Sequence, residues 1–316
     1  MKAIVINEFG GPNVFKDADV DAPKPLHNEA IVQVHAAGLN PFDTKMRVGK
    51  LAPFFGLKLP LIIGWDVAGV VTEVGFDVDE VKVGDRVYGM IQPIRPGSAA
   101  EYVAVQSEFL RVMPAKMSFE EAAAIPMAAE TAWFGLVNLG KIKKGDRVLV
   151  HAGAGGVGMY GIQIAKAMGA WVATTCSTRN VEFCKSLGAD QVIDYTQQDF
   201  SKELKDIDVA IDVLGGDANL NTYKVLKRGG TLLCVLRYDL ADMQNRERLT
   251  QEHGVNVHTV VFSNKPAALD ELNKLYEAGK LKVHHEVVPF NAASLTKAHE
   301  QLESARTRGK LVMKVK

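Results

Sequence analysis

Hydrophobic positions in the first 115 residues come in short runs separated by turn residues, as in Glu29 to Ala37 (EAIVQVHAA), Val67 to Val74 (VAGVVTEV) and Asp85 to Tyr88 (DRVY). Such runs predict strands, and their spacing predicts a β-rich, barrel-like domain over residues 1–120. At Ser118 the pattern changes. SFEEAAAIP sets Glu121 three residues after Ser118, the spacing of a capping box, and helix and strand signals alternate from there. Between Arg147 and Val261 the strand-length apolar runs are RVLVH, WVATTC, QVIDY, DVAID, TLLCVL and VNVHTVV, most of them separated by segments compatible with helix. That order predicts an α/β domain with a doubly wound parallel sheet over residues 121–262. The tail, 263–316, reads as a helix from Pro266 to Ala278, the strand HHEVVPF, a helix from about Ala292 to Ser304 and the strand KLVMKV. It is expected to return and complete the first domain. With no internal repeat or low-complexity linker, the two lobes are expected to meet across a cleft.

One segment carries chemistry directly. RVLVHAGAGGVGMYGIQIAKAMGA joins a strand, a glycine turn and a helix. Gly153 permits a tight turn, Gly155 lets a pyrophosphate approach the backbone, and Gly158 lets helix and strand pack closely. Gly156 and Val157 lie between them at the helix start, where unpaired amides bind phosphate. Val157, Gly161, Ile164, Ala165 and Met168 recur at helical spacing and predict the face laid on the sheet. A glycine turn that only aids packing is the plainer alternative. The strand before, the helix after and the second strand beyond favour a dinucleotide site.

The tip of that second strand selects the dinucleotide. A preference for NAD usually places Asp or Glu there, to accept from the ribose 2′-hydroxyl. Here it reads Thr174, Thr175, Cys176, Ser177, Thr178, Arg179. Arg179 suits a 2′-phosphate, Ser177 and Thr178 can donate to its oxygens, and Tyr195 at the third strand's tip adds a further donor. NADPH is the expected cofactor. A solvated cation at a helix start is the alternative for Arg179.

Composition narrows the partners. Among 316 residues, 37 basic groups balance 37 acidic ones, so no net field favours nucleic acid or an anionic membrane, and a small-molecule substrate is expected. No apolar stretch approaches the roughly 18 to 20 residues of a membrane-spanning helix, and MKAIVINEFGG is too short in apolar residues for a signal peptide. Cys176, Cys184 and Cys234 form neither a disulfide framework nor a metal lobe, which suits a reducing compartment, the cytoplasm by expectation. Cys184 and Cys234 read as small buried groups, and Cys176 has no paired His to activate it. His284 and His285 lack a third ligand. No G-x-S-x-G elbow or paired-carboxylate motif argues for hydrolysis.

GLNPFDTKMRVG (38–49), LIIGWDVAGVV (61–71), VGDRVYG (83–89), HAGAGGVG (151–158), STRNVEFCKSLGADQVIDY (177–195) and GKLVMKV (309–315) resemble quinone oxidoreductases and alkenal or enone reductases of the medium-chain dehydrogenase/reductase superfamily. The similarity covers nearly the whole chain and is strongest to plant chloroplast-type and fruit enone reductases, which carry a like STRN segment. It implies a GroES-like domain with a Rossmann domain inserted before its last elements, and a homodimer joined through the Rossmann sheet. The superfamily's alcohol dehydrogenases hold a catalytic zinc with Cys and His. At those positions this chain has Asn40 and Trp65, and residues 90–100 contain no cysteine of a structural lobe. No metal is expected.

Without a Lewis acid, alcohol oxidation lacks its usual means of stabilising an alkoxide, whereas a conjugated enal, enone or quinone is already activated toward hydride. The resemblance places Asn40, Asp43 and Lys45 beside the nicotinamide and its ribose, with Lys45 holding ribose hydroxyls or helping to deliver a proton. Ordinary surface exposure is the alternative for Lys45. The resemblance also places Thr131 at the nicotinamide end, where a helix-interior Thr bonded to its own backbone is nearly as good a reading. Trp65, Trp133 and Phe262 are candidate pocket walls, against plain core packing. The expected activity is NADPH-dependent reduction of 2-alkenals and enones, with quinone reduction by the same site as the alternative. A protein that binds NADPH without turnover, as in relatives resembling lens crystallins and vesicle proteins, is the reading from another class.

Overall fold

The computed structural model describes residues 1–235, 240–261 and 267–316. They form two compact units.

The first unit opens with β1 (Lys2–Ile6), antiparallel to β2 (Phe15–Asp19), followed by the long strand β3 (Glu29–Leu39). Every residue of β3 is buried except the half-buried Gln33 and His35. That follows from its place at the centre of a sheet, with neighbours on both edges. Pro41 then starts α1 (Pro41–Arg47), a first-turn position where its missing N–H costs nothing. β4 (Leu61–Ile62) pairs with β1, and β5 (Asp66–Val74) runs antiparallel to β3. β6 (Arg86–Met90) pairs with β5, β7 (Tyr102–Gln106) with β3, and β8 (Leu110–Val112) with β6.

The capping box expected at Ser118 is present. Glu121 N–H donates to Ser118 Oγ at 3.1 Å and Ser118 N–H donates to Glu121 Oε2 at 2.9 Å, which starts α2 (Phe119–Ala123). This helix packs on β3 and β5, so it belongs to the first unit. The unit therefore runs to Met127, beyond the position 120 suggested by the change in pattern.

The second unit begins within α3 (Pro126–Trp133). It alternates β9 (Arg147–Val150), α4 (Gly156–Ala167), β10 (Trp171–Cys176), α5 (Val181–Ser186), β11 (Gln191–Asp194), α6 (Phe200–Glu203), β12 (Ile207–Asp212), α7 (Gly216–Thr222), β13 (Leu226–Val235), α8 (Leu240–His253) and β14 (Asn256–Val260). The six strands are parallel in the order β11-β10-β9-β12-β13-β14, the doubly wound sheet that the apolar runs predict. Register sets Leu149 beside Ala173 and Ala210, and Ala210 beside Leu232, so small and large apolar residues alternate across one face.

One expectation changes here. α4 has no single buried stripe: Gly158 through Ala165 are all buried, Val157 is half-buried, and Met168 is an exposed residue at the helix end. Gln163, polar in sequence, is accommodated because its amide accepts from Lys282 N–H at 2.7 Å and donates to Met159 O and Lys282 O.

After α9 (Ala267–Glu277), the chain forms β15 (His285–Pro289), α10 (Ala292–Glu303) and β16 (Lys310–Lys314) in the first unit. β16 pairs antiparallel with β3, Leu311 opposite Leu39. This return completes a seven-stranded sheet and carries Lys310 to the level of Asn40.

Candidate functional site

The glycine turn begins where β9 ends. Register brings Thr174 and Ile211 beside Val150, so the next residue, His151, lies among Thr175 and Asp212 and is buried. Its hydrogen bonds define a tautomer. Thr222 Oγ1 donates to Ala218 O at 2.6 Å, so it accepts from His151 Nε2–H at 2.9 Å. Neutral His151 then accepts at Nδ1 from the Thr175 hydroxyl at 3.1 Å, and Thr175 Oγ1 accepts from Ala152 N–H at 3.2 Å. Burial lowers the His151 pKa to about 4, against the opposing charge of Asp212, so the imidazole is neutral at neutral pH.

This chain of bonds anchors a strained residue, Ala152, at φ +51°. The left-handed conformation of the turn thus falls on Ala152. Gly153 is required for space: a Cβ there would lie 2.0 Å from Thr174 Oγ1. At Gly158 a Cβ would lie 2.2 Å from Ala152 O, which agrees with close helix–strand packing. Gly155 differs from both. Its backbone is extended (φ −82°, ψ 175°), and the nearest atom to a Cβ would be Ala152 O at 3.4 Å, an ordinary contact. Nothing in the chain's own packing demands glycine at 155. The residue is also the N-cap of α4, with no side chain capping the helix amides. A bare backbone in front of uncapped amides fits a pyrophosphate.

The tips of β10 and β11 lie side by side, with Cys176 opposite Asp194 and Tyr195 N–H donating to Cys176 O at 3.1 Å. Thr178, Arg179 and Tyr195 are exposed and Ser177 is half-buried. Ser177 Oγ accepts from Asn180 Nδ2 at 3.2 Å. The Thr178 hydroxyl is already engaged, donating to Asp194 Oδ2 at 2.6 Å. Of the donors expected for a 2′-phosphate, Arg179 and Tyr195 therefore remain the long exposed side chains, and Thr178 supports the loop.

In the first unit, register brings Asn40, Asp66 and Lys310 together: Leu39 faces Leu311, and Gly38 faces both Val312 and Asp66. All three are buried. Lys310 Nζ donates to Leu39 O at 3.0 Å and to Asn40 Oδ1, and lies 3.4 Å from Asp66 Oδ2. Asn40 Nδ2 donates to Asp66 Oδ2 at 2.8 Å, and Met127 N–H donates to Asp66 Oδ1 at 2.9 Å. Burial pushes the Asp66 carboxyl up, opposed by Lys310, Asn40 and Met127. Asp43 joins from α1, accepting from Asn40 N–H at 2.7 Å through Oδ2. Its other oxygen is buried without a hydrogen-bond partner among the described residues, and desolvation raises its pKa to about 8, so neutral pH finds it mostly as the acid.

Asn40 thus has its amide fixed at both ends. These donors do not fit a catalytic zinc, and among the described residues no group of His, Cys, Asp or Glu side chains is gathered as a metal site requires. Lys45 is half-buried on α1, Thr131 is buried in α3, and Trp133 is half-buried at the end of α3. Trp65 is wholly buried, edge-on to Phe42 at 5.4 Å, and its Nε1 has no hydrogen-bond partner among the described residues. Phe262 lies outside the described residues. Missed in sequence were His151, Asp66, Asp194 and Lys310, although each stands inside a quoted motif.

The comparisons agree with this organisation. Residues 27–115 match the alcohol dehydrogenase GroES-like domain, and residues 187–313 match the zinc-binding dehydrogenase family. The NAD(P)H oxidoreductase RTN4IP1, mitochondrial, of Danio rerio is 35% identical over 100% of this chain and 91% of its own length. The 2-methylene-furan-3-one reductase of Solanum lycopersicum is 37% identical over 99% of this chain and 79% of its own. The NADPH-dependent alkenal/one oxidoreductase, chloroplastic, of Arabidopsis thaliana is 35% identical over the same shares. Among solved structures, the quinone oxidoreductase of Coxiella burnetii superposes with a TM-score of 0.92 at 37% identity, covering 100% of this chain and 99% of that one. The Escherichia coli quinone oxidoreductase complexed with NADPH gives 0.85 at 28% identity, covering 99% of each.

A GroES-like unit joined to a doubly wound nucleotide-binding sheet defines an oxidoreductase that uses a nicotinamide dinucleotide. The chain belongs to the medium-chain dehydrogenase/reductase family, among its quinone oxidoreductases and alkenal or enone reductases.

Proposed function

We propose that the protein is an NADPH-dependent, zinc-independent reductase acting on the carbon–carbon double bond of 2-alkenals and enones. The observation that carries this reading is the buried corner at Asn40. Where the alcohol dehydrogenase branch offers a thiolate to zinc, this chain has an amide committed to Lys310 and Asp66. Such a corner suits an acceptor that is already electrophilic. The relatives named for furanone and alkenal reduction support the same substrate class. Two-electron reduction of quinones is the second reading, favoured by the two quinone oxidoreductase structures.

When bound, NADPH supplies hydride from nicotinamide C4 to the electrophilic carbon of the acceptor. The chain's own residues do the rest. The amides of Gly156, Val157 and Gly158 at the start of α4 hold the pyrophosphate, with Gly155 leaving the approach open. Arg179 and Tyr195, with Ser177 beside them, hold the 2′-phosphate. Asn40 and Asp43 act as positioning residues. Lys45 holds the ribose or moves a proton to the product, and Thr131 supports the nicotinamide end. Trp133 is a pocket wall in this reading. Trp65 packs in the core.

The reading includes a reducing compartment such as the cytoplasm, supported by three buried cysteines outside any disulfide, and a homodimer joined edge to edge through the parallel sheet. Among the described residues no helix is long and apolar enough to cross a membrane.

Following NADPH oxidation with acrolein-type aldehydes, alkyl vinyl ketones and small quinones ranks the two acceptor classes. Absence of turnover with all three, together with tight NADPH binding, would sink both readings in favour of a binding protein. Arg179→Asp is expected to abolish the preference for NADPH over NADH, and an unchanged preference refutes the cofactor assignment.

A further inference from the structure

A ribose 2′-phosphate and a carboxylate repel each other, yet Asp194 stands at the end of β11, opposite Cys176 and one residue before Tyr195. Its surroundings explain how both are accommodated. Oδ2 accepts from Thr178 Oγ1 at 2.6 Å and from Gln197 Nε2 at 3.3 Å. Oδ1 accepts from Thr196 N–H at 3.0 Å and from the Thr196 hydroxyl at 2.8 Å. The residue is only 8% exposed, so its charge faces these donors and not solvent. The Thr178 hydroxyl foremost, with Thr196, holds the carboxyl below the usual carboxylate range.

The two threonines come from different loops. Thr178 belongs to the loop between β10 and α5 and precedes Arg179, whereas Thr196 follows Tyr195 in the loop after β11. We infer that Asp194 is a positioning residue for cofactor discrimination: by clamping Thr178 to Thr196 it fixes the two loops from which Arg179 and Tyr195 reach a 2′-phosphate. The inference rests on the NADPH reading. An acidic residue near the adenosine ribose ordinarily favours NAD by accepting from the 2′-hydroxyl. Here the carboxylate is turned inward and its oxygens are taken, so it organises cations and hydroxyls without opposing the phosphate.

The test uses the full chain freed of nucleotide, titrated calorimetrically with adenosine 2′,5′-bisphosphate and with 5′-AMP. An amide at 194 carries no charge and accepts on one side only, so Asp194→Asn replaces the charge-assisted bond to one loop with a weaker neutral bond of reversed direction. Asp194→Asn and Thr178→Val are each expected to weaken bisphosphate binding roughly tenfold, the equivalent of one charge-assisted hydrogen bond, with 5′-AMP affinity within about twofold of the unmodified chain. Thr178→Ser, which keeps the hydroxyl, is expected to bind like the unmodified chain. Tighter bisphosphate binding by Asp194→Asn would overturn the inference, because the carboxylate would then act by repulsion. So would an unchanged ratio in Thr178→Val, which also decides the matter if Asp194→Asn does not fold. Arg179→Asp separates the two levels. If it leaves the bisphosphate-to-AMP ratio unchanged, the NADPH reading fails; if it collapses the ratio while both clamp variants leave it intact, only the clamp fails.

Discussion

The corner at Asn40 and the strand tips at Arg179 use similar side chains to opposite ends. At the corner, Lys310, Asn40 and Asp66 satisfy one another inside the first unit and are sealed from water. At the tips, Asp194 gathers hydroxyls inward while Arg179 and Tyr195 stay exposed. The difference lies in burial rather than residue type. A cation enclosed with its partners shapes the fold around a site, whereas a cation on a clamped, open loop keeps its contact with solvent.

The largest test of that contrast removes the enclosed cation. Lys310→Met leaves the Asn40 carbonyl oxygen buried without its donor and Asp66 buried without its cation, and a buried pair broken on one side costs about 3–5 kcal/mol. Urea denaturation checks it. Adding Asp66→Asn to Lys310→Met is expected to recover part of the loss. A cost below about 1 kcal/mol for Lys310→Met would mean that water reaches the corner and the contrast is false.

Within the glycine turn the same distinction separates neighbouring residues. Gly158→Ala forces a Cβ to 2.2 Å from Ala152 O and is expected to cost about 3 kcal/mol, the upper range for overpacking. Gly155→Ala meets only an ordinary contact. It is expected to leave the denaturation midpoint nearly unchanged while weakening NADPH binding measured by fluorescence titration. Equal stability losses in both variants would show that Gly155, too, is there for packing.

Much of this architecture was readable from the chain, and the limits have physical causes. The inner strands β9, β10 and β12 of the second unit are visible because burial on both faces of a parallel sheet demands continuous apolar runs. Ser118 and Glu121 were visible because a capping box is local. The corner was not, since Lys310 meets Asn40 only through the register of β16 on β3, 270 residues apart in sequence. Asp194 sat in plain view within QVIDY, but its role depends on which way its carboxylate turns. The left-handed residue of the glycine turn is not legible either, because bonds from His151 and Thr175 hold that conformation at Ala152, a residue whose type does not announce it.

Buried ionisable groups extend the contrast to pH. His151 and His299 have pKa values of about 4 and about 3, lowered first by burial, with the Arg47 charge adding to the effect at His299. Both lie below the ordinary 6.5, so the unfolded chain takes up protons that the native state refuses. The stability they contribute is complete above pH 6.5 and falls as pH drops from there toward 4, by up to roughly 1.4 kcal/mol per pH unit for each histidine. His151→Asn should flatten that dependence by one such increment in urea midpoints taken at intervals across the window. Asp43 runs the other way. With its pKa raised to about 8, its contribution is complete below the ordinary carboxylate range and is lost as pH rises toward 8, so Asp43→Asn should relieve a decline on that side. A pH dependence unaltered by either variant would mean that these groups are hydrated in the native state.

The smallest effect comes from an interior hydroxyl that the network leaves out. Ser98 is fully buried beside Gly64, and its Oγ has no hydrogen-bond partner among the described residues. An unmatched buried hydroxyl carries a desolvation cost without a return, so deleting it removes a liability. Ser98→Ala is therefore expected to be neutral or stabilising by up to about 1 kcal/mol, in contrast to Lys310→Met. A loss of more than about 1 kcal/mol would reveal that the hydroxyl is bonded, most simply to an enclosed water, and that polar groups in this interior are matched more completely than the protein atoms alone provide.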